Sequence, residues 1–339
     1  MKMILKIWLA LIGLAFFVSC SEQNKEQGAH LQGRTMGTTY NVRYYPQQPI
    51  DSKLVQDKID LSLLQLNQQM STYIPDSQIS QFNKMQSTEP MQIDDGFAYV
   101  VDQAIELAKL SQGALDITVG PLVNLWGFGP DKKPTQLPSD QQLGQIDDYV
   151  GINKLLLDGN QLSKTDPRVT IDLSAIAKGY GVDVVAEVLE SFEIDNYLVE
   201  IGGEMRLKGH KPQKQSWLVA IEKPQSLERS VQQVLNVGNN ALATSGDYRN
   251  YFEQDGIRYS HTIDPITAKP IRHKLASVSV VAENCTLADG WATALNVLGP
   301  EKGYKLASEL GLAVYLVIKS DEGFEVKYTK AFEPYLVQF

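Results

Sequence analysis

Apolar residues along this chain recur with two periods, and the helical one appears first. Within residues 51–70, Ile59, Leu63, Leu66 and Met70 return every three or four positions, which predicts an amphipathic helix after a strand-like run at 38–45. A second helix is predicted over 96–112. Asp94 and Asp95 place negative charge at its positive end, Phe97, Val101, Ala104 and Ala108 share one face, and Gly113 suits the stop. A third covers 175–192, with Ile176, Tyr180, Val184, Val188 and Phe192 as its apolar stripe, and a fourth, 287–298, ends before Gly299-Pro300. Short runs rich in β-branched and aromatic residues at 197–201, 217–221, 259–263, 276–281 and 313–319 read as strands. Helices and strands without strict βαβ alternation predict an α+β architecture. No internal repeat or low-complexity tract interrupts it, and the Gly/Pro-rich stretch 127–138 is the best internal break.

The start of the chain has neither period. Lys2 and Lys6 flank the beginning of an apolar run, residues 7–18, that ends at Ser19-Cys20. This predicts a secretory signal over 1–19 that is too short to be a spanning helix. A small residue before a cysteine is the pattern of a bacterial lipoprotein signal, with Cys20 as the lipidated first residue; Phe17, three before the cysteine, stands where an aliphatic residue is commoner. The plainer reading is a cleaved signal with an incidental cysteine. Lipidation of Cys20 would leave Cys285 as the other of two cysteines, so no disulfide is expected. Polar residues 20–32 then form a flexible tether, and one folded domain spans 33–339.

Composition adds one constraint. The 339 residues are 43% hydrophobic and 21% charged, as in an ordinary globular protein, but the net charge is -9. The acidic balance, with a pI near 5.1, argues against nucleic acid as a partner. An anionic ligand would need help from a metal or from backbone amides.

Motifs of the commoner enzyme classes are missing: HExxH, paired CxxC, GxSxG, a P-loop and GxGxxG after a strand. Residues 172–181 follow a strand-like run and open the third helix with small residues and Lys178, a plausible phosphate seat, although Asp172 or Ser174 could simply cap that helix. Asp289 and Thr293, four apart on the fourth helix, face the same way and suit magnesium completed by a carbonyl, phosphate and water; the same pair could equally be capping or surface chemistry. His261, one of four histidines, lies where a strand runs into a turn, the position of a general base or of a structural histidine.

Taken in order, the chain's unusual segments are Met36-Gly37-Thr38-Thr39-Tyr40, Met70-Ser71-Thr72-Tyr73 with Ser77 and Ile79-Ser80, and Gly113-Ala114-Leu115-Asp116-Ile117-Thr118 running on to Leu122. After them come residues 172–181, Glu200-Ile201-Gly202-Gly203-Glu204, Ala243-Thr244-Ser245-Gly246-Asp247-Tyr248, His261-Thr262-Ile263-Asp264-Pro265 and Ala288-Asp289-Gly290-Trp291-Ala292-Thr293-Ala294. In order and spacing they resemble the ApbE flavin transferase family, from about residue 33 to the C-terminus.

The resemblance implies a two-lobed α+β fold with mixed β-sheets flanked by helices and FAD in a cleft between the lobes. It implies flavin or adenine contacts at Met36, Tyr73, Ala114, Leu115, Asp116, Ser174, Lys178 and Ile263. It further implies magnesium held by Asp289, Thr293 and the main-chain oxygen of Ala177, with His261, assisted by Asp264, as the base for transfer. The activity expected is FAD:protein FMN transfer: a threonine hydroxyl attacks the phosphorus of the FMN half and AMP leaves. Expected partners are redox proteins with a threonine-containing flavinylation motif, such as subunits of sodium-pumping NADH:quinone reductase and related complexes. The expected location is exported, lipid-anchored and facing the periplasm. Two other readings stand beside it: FAD hydrolysis to FMN and AMP, and a lipoprotein that only binds flavin.

Overall fold

The computed structural model describes residues 28–129, 137–224, 230–246, 251–254 and 257–338. The signal segment, Cys20, Asp247 and Tyr248 lie outside the described residues. The frame is an eight-stranded sheet whose strands sit side by side in chain order: Ala29–Thr35, Thr38–Tyr44, Tyr197–Ile201, Glu204–Lys208, Ala241–Gly246, Leu275–Ala282, Ala313–Ser320 and Gly323–Tyr328. Every ladder is antiparallel, which corrects the expectation of mixed sheets in that respect. Three of these pairs, Ala29–Thr35 with Thr38–Tyr44, Tyr197–Ile201 with Glu204–Lys208 and Ala313–Ser320 with Gly323–Tyr328, are hairpins whose tight turns allow no other sense. The first strand begins at Ala29, paired with Tyr44, so the fold starts within the stretch 20–32 that the sequence assigns to a tether.

Both faces of the sheet are covered, which is why its central strands are almost continuously apolar. Alternate residues separate cleanly. Ala241, Ala243, Val278, Val280, Val314 and Leu316 join the main core beneath the helices, while Leu242, Tyr315 and Val317 pack on the opposite side with Trp217, Leu235 and Phe332. The helices are α1 (Ser52–Met70), α2 (Gln78–Lys84), α3 (Asp95–Leu110), α4 (Gly120–Leu125), α5 (Asp140–Asp147), α6 (Ala177–Ser191) and α7 (Cys285–Glu309). Asp51 caps α1 by accepting the Lys53 amide at 2.8 Å, and the expected apolar residues Ile59, Leu63, Leu66 and Met70 are its buried face. The anticipated face of α3 is buried in the same way.

Three local expectations shift. On α6 the buried face runs through Gly179, Val182, Ala186 and Leu189 with Asp183, while Tyr180, Val184 and Phe192 are only half-buried, because the helix packs against α1, α7 and the sheet together. The helix expected to stop at Gly299 does break there, at φ 77° and ψ -177°, but helix resumes after Pro300, whose fixed φ suits a first turn. The strand expected over 259–263 is interrupted at His261 and Thr262, where the Thr262 amide bonds the Ser260 hydroxyl at 3.1 Å and leaves two short strands, Ile257–Ser260 and Ile263–Asp264. A third apolar cluster, with Leu122, Trp126, Leu143, Tyr259 and Ile263, builds the smaller body beside the main core.

Candidate functional site

Helices α6 and α7 cross at Gly179. A Cβ there would stand 2.2 Å from the Cys285 carbonyl oxygen and 2.8 Å from Asp289 Cβ, so the absence of a side chain lets the two backbones touch. Each helix then caps the other. Asp289 of α7 accepts the Gly179 amide at 2.9 Å in the first turn of α6. Asp183 of α6 accepts the amides of Cys285 and Thr286 at 2.9 and 2.8 Å, and the Thr286 hydroxyl at 2.6 Å, in the first turn of α7. Both carboxylates thus sit at the positive ends of helices, where otherwise unpaired amides want acceptors.

This crossing assembles a small charged cluster. Lys178 Nζ lies 2.5 Å from Glu204 Oε1 and 4.0 Å from Asp289 Oδ1. Glu204 reaches it from the far side because Gly202 and Gly203, both at positive φ, turn the chain tightly between neighbouring strands. Burial works against the charge on Lys178, yet Asp289 and Glu204 outweigh it and hold the ammonium above the ordinary lysine value. Burial first, then the charge of Asp289, push Glu204 up to about 7 despite Lys178. Burial likewise raises Asp289, against the opposing pull of Lys178 and the Gly179 amide. Two buried carboxylates therefore share one ammonium, and Glu204 Oε2 has no hydrogen-bond partner.

That excess of negative charge fits a divalent cation. No group of three or more His, Cys, Asp or Glu side chains that could hold a metal alone occurs among the described residues, so carbonyl, hydroxyl and phosphate oxygens would have to complete the shell. Thr293, one turn beyond Asp289, points its hydroxyl at the Ala175 carbonyl, 3.4 Å away. The expected main-chain ligand, Ala177, is two residues further on and buried in the first turn of α6.

Beside the cluster opens a cavity of about 660 Å³ between the main core and the smaller body. Tyr73, Ala114, Leu115, Asp116, Ser174, Lys178, His261, Ile263 and Thr293 all line it, so the structure unites residues that lie far apart in sequence. Tyr73 is an aromatic at the rim, 74% exposed. Asp116 also braces its own surroundings, accepting the amide and hydroxyl of Thr118 at 2.7 and 2.6 Å and the Ile152 amide at 2.8 Å, which fixes the loop that carries Ala114 and Leu115. Burial raises its carboxyl even so. Asp172 accepts the Ser174 amide at 2.8 Å and its hydroxyl at 2.5 Å, so capping of this turn is real alongside its place on the cavity wall. His261 stands at the wall with its ring edge-on to Phe128, centroids 6.4 Å apart.

Two expected residues lie elsewhere. Met36 is at the hairpin tip between the first strands, with its sulfur 3.2 Å from where a Gly181 Cβ would be, and it packs under α6 without lining the cavity. Asp264 faces a neighbouring cavity and spends its carboxylate on the Ile266 amide and Thr267 hydroxyl, each at 2.9 Å. Both bonds brace the turn that follows it. Conversely, Glu204 and Asp183 were not assigned as site residues from sequence, although an acid directly after a Gly-Gly turn was a usable signal for the first.

The ApbE family model matches residues 36–316. A Vibrio cholerae FAD:protein FMN transferase is 49% identical over 330 residues, covering 97% of this chain and 98% of its own. The Haemophilus influenzae FAD:protein FMN transferase is 46% identical, with 97% of each chain covered. Among solved structures, the flavin transferase ApbE from Vibrio cholerae superposes with a TM-score of 0.85 over 91% of this chain and 99% of its own. The apo form of Pseudomonas stutzeri flavinyl transferase ApbE, 38% identical, gives 0.85 over 92% and 98%.

Proposed function

This chain belongs to the ApbE family, and on that premise we propose that its cavity binds FAD and that its activity is FAD:protein FMN transfer. The observation that carries the reading is the Lys178, Glu204 and Asp289 cluster at the edge of a cavity large enough for a substantial part of a dinucleotide. Lys178 and the start of α6 face the cavity with positive charge and positive helix dipole, the combination that seats a pyrophosphate. Apolar Leu115 and Ile263, with the exposed ring of Tyr73, offer surfaces for flat ring systems.

The reaction follows from that placement. The acceptor threonine oxygen forms a bond to the phosphorus of the FMN half, the bond from that phosphorus to the bridging oxygen breaks, and AMP departs with the electron pair. His261, at the cavity wall, takes the hydroxyl proton as the new phosphoester forms. Asp289, Thr293 and the main-chain oxygen of Ala177 would hold magnesium, which when bound would supply charge neutralisation at the pyrophosphate. The acceptors are flavoproteins of the membrane redox type, subunits of sodium-pumping NADH:quinone reductase being the kind expected. Cys20 is the lipid anchor, and the protein works at the membrane facing the periplasm, a reading supported by the apolar run before Ser19-Cys20.

The test is to incubate the purified full-length chain with FAD, magnesium and such a subunit, then measure acid-stable flavin on the subunit and released AMP. The reading requires both in equal amounts and loss of both with chelator. AMP and free FMN without labelled subunit would favour hydrolysis, and tight FAD binding without AMP would reduce the protein to a carrier. Mass spectrometry of the membrane fraction, with Cys20→Ser as control, tests the anchor.

A further inference from the structure

The cavity of Asp264 has no place in the chemistry so far. It measures about 570 Å³ and adjoins the proposed FAD cavity: Val297 lines both, and the chain passes from one to the other between Ile263 and Asp264. Its inner wall is aromatic and rigid. Trp126 is buried against Tyr259, rings 5.8 Å apart and nearly parallel, and its indole N–H donates to the Ala268 carbonyl at 2.9 Å.

Its rim is cationic. Lys269, Arg272 and Lys302 all line it and are all exposed. The acids nearby leave that charge largely unspent. Asp140 meets Lys269 at 3.7 Å with both side chains mostly in solvent, a pair worth little. Asp264 is committed to its own turn. The Arg272 guanidinium lies 5.4 Å from the centre of the Tyr259 ring, and neither Arg272 nor Lys302 forms an ion pair among the described residues. On a chain of net charge -9 three exposed cations around one cavity run against the overall balance.

We propose that this second cavity docks the acceptor polypeptide, taking an acidic stretch beside the target threonine so that the hydroxyl projects past Val297 toward the FAD phosphorus. The inference rests on the transfer reading above and supplies its second substrate site. Transfer needs two reactants at one phosphorus, and with FAD in the larger cavity the acceptor must enter from an adjoining surface. The cationic rim selects and orients an acidic segment, while Trp126 and Tyr259 give its apolar residues a firm floor.

The experiment compares wild type with the triple variant Lys269→Glu, Arg272→Glu, Lys302→Glu in the full-length protein. FAD affinity is read from flavin fluorescence. kcat/KM for a redox subunit is read from covalent flavin at low and at physiological salt. The triple variant should keep FAD affinity within about twofold while kcat/KM for the acceptor falls on the order of 10–100-fold, and the salt sensitivity of wild type should disappear. The exposed single change Lys302→Glu guards against misfolding of the triple variant and should give about a threefold loss with an unchanged melting temperature. Unchanged acceptor kinetics in both variants overturn the proposal. FAD affinity that falls in step with transfer also overturns it, because the cavity would then belong to the FAD site. No covalent flavin with wild type would instead overturn the functional reading itself.

Discussion

Gly179→Ala is the sharpest test of how the site is built. The added methyl carbon would stand 2.2 Å from the Cys285 carbonyl oxygen and 2.7 Å from its carbon. The obstacle is backbone, and it cannot swing aside, because Asp183 grips the Cys285 amide at 2.9 Å and the neighbouring Thr286 amide at 2.8 Å. Relief therefore requires α6 and α7 to separate by about 1 Å, an overpacking cost of about 1–3 kcal/mol. Separation also stretches the 2.9 Å bond from the Gly179 amide to Asp289, and a hydrogen bond to a charged group contributes about 1.5–3 kcal/mol. Together these predict a loss of roughly 3–5 kcal/mol, a large share of the stability of an ordinary domain, and a fall in Tm of roughly 5–15 °C.

Transfer should drop at least about tenfold even where the variant is fully folded, since about 1 Å of misplacement is costly in catalysis. Calorimetry and the covalent-flavin assay at about 20 °C read the two effects. Gly144→Ala is the internal control: it lies on α5 with nothing within 4 Å of the added carbon, and should be neutral or more stable by about 0.5–1 kcal/mol. If Gly179→Ala melted within about 2 °C of wild type, or matched Gly144→Ala, the close crossing of α6 and α7 would not be what holds the site together.

Four further outcomes follow from the same contacts. Asp183→Ala leaves the Cys285 and Thr286 amides of α7 without their acceptor, with only the Asn284 side chain still capping that turn through the Leu287 amide, and Arg206 without its 3.0 Å partner, so the urea midpoint should fall by the equivalent of about 3–5 kcal/mol; a loss under about 1 kcal/mol contradicts the role of Asp183 at this helix end. Asp289→Asn can still accept the Gly179 amide while removing the like charge that raises Glu204, so without magnesium it should be more stable by on the order of 1 kcal/mol yet fail to transfer; a lower metal-free Tm counts against this. Because Glu204 is raised from 4.5 to about 7 by folding, its stabilising contribution is complete below pH 4.5 and lost as pH rises through about 7. The metal-free stability of wild type relative to Glu204→Gln should thus decline across that window by on the order of 1–3 kcal/mol, and a constant difference in urea titrations refutes it. Finally, His261→Ala should abolish transfer with FAD affinity kept, whereas Asp264→Ala, which loses only turn bonds, should cost about 1 kcal/mol of stability and less than about threefold in rate; equal kinetic losses would restore Asp264 to the chemistry.

What the sequence could disclose was what local periodicity and short motifs encode. The strand Tyr197–Ile201 and the buried face of α1 follow from spacing alone. So does the helix break at Gly299, while the helix beyond it does not, because Pro300 ends one helix as readily as it starts the next. The wall residues Tyr73, Leu115, Lys178, His261 and Thr293 were reachable because each lies in a motif. Their mutual geometry was not, since it depends on contacts such as Gly179 to Asp289, 110 positions apart. Met36 and Asp264 show the limit of motif reading: a motif position says that a residue matters locally and not which way its side chain faces, and here Met36 sits at a hairpin tip while Asp264 accepts the bonds of its own turn.

The charge balance of the cluster links stability to function. A fold seeking stability alone has no use for two buried carboxylates around a single ammonium, because desolvating ions costs more than an imperfect set of partners returns, and apolar side chains of similar size serve as well. Here the imbalance is built in by the elements that hold the site: Asp289 is fixed as a cap of α6, and Glu204 is delivered by the Gly202-Gly203 turn with one oxygen left unbonded. Neither acid can leave without undoing a structural contact, so the surplus charge is relieved only by a proton, as the raised Glu204 shows, or by a cation. An acidic protein thereby concentrates its need for positive charge at one place, where Lys178 already faces the cavity. An anionic dinucleotide and a divalent ion should then bind there together more tightly than either binds alone, because each neutralises what the other leaves exposed.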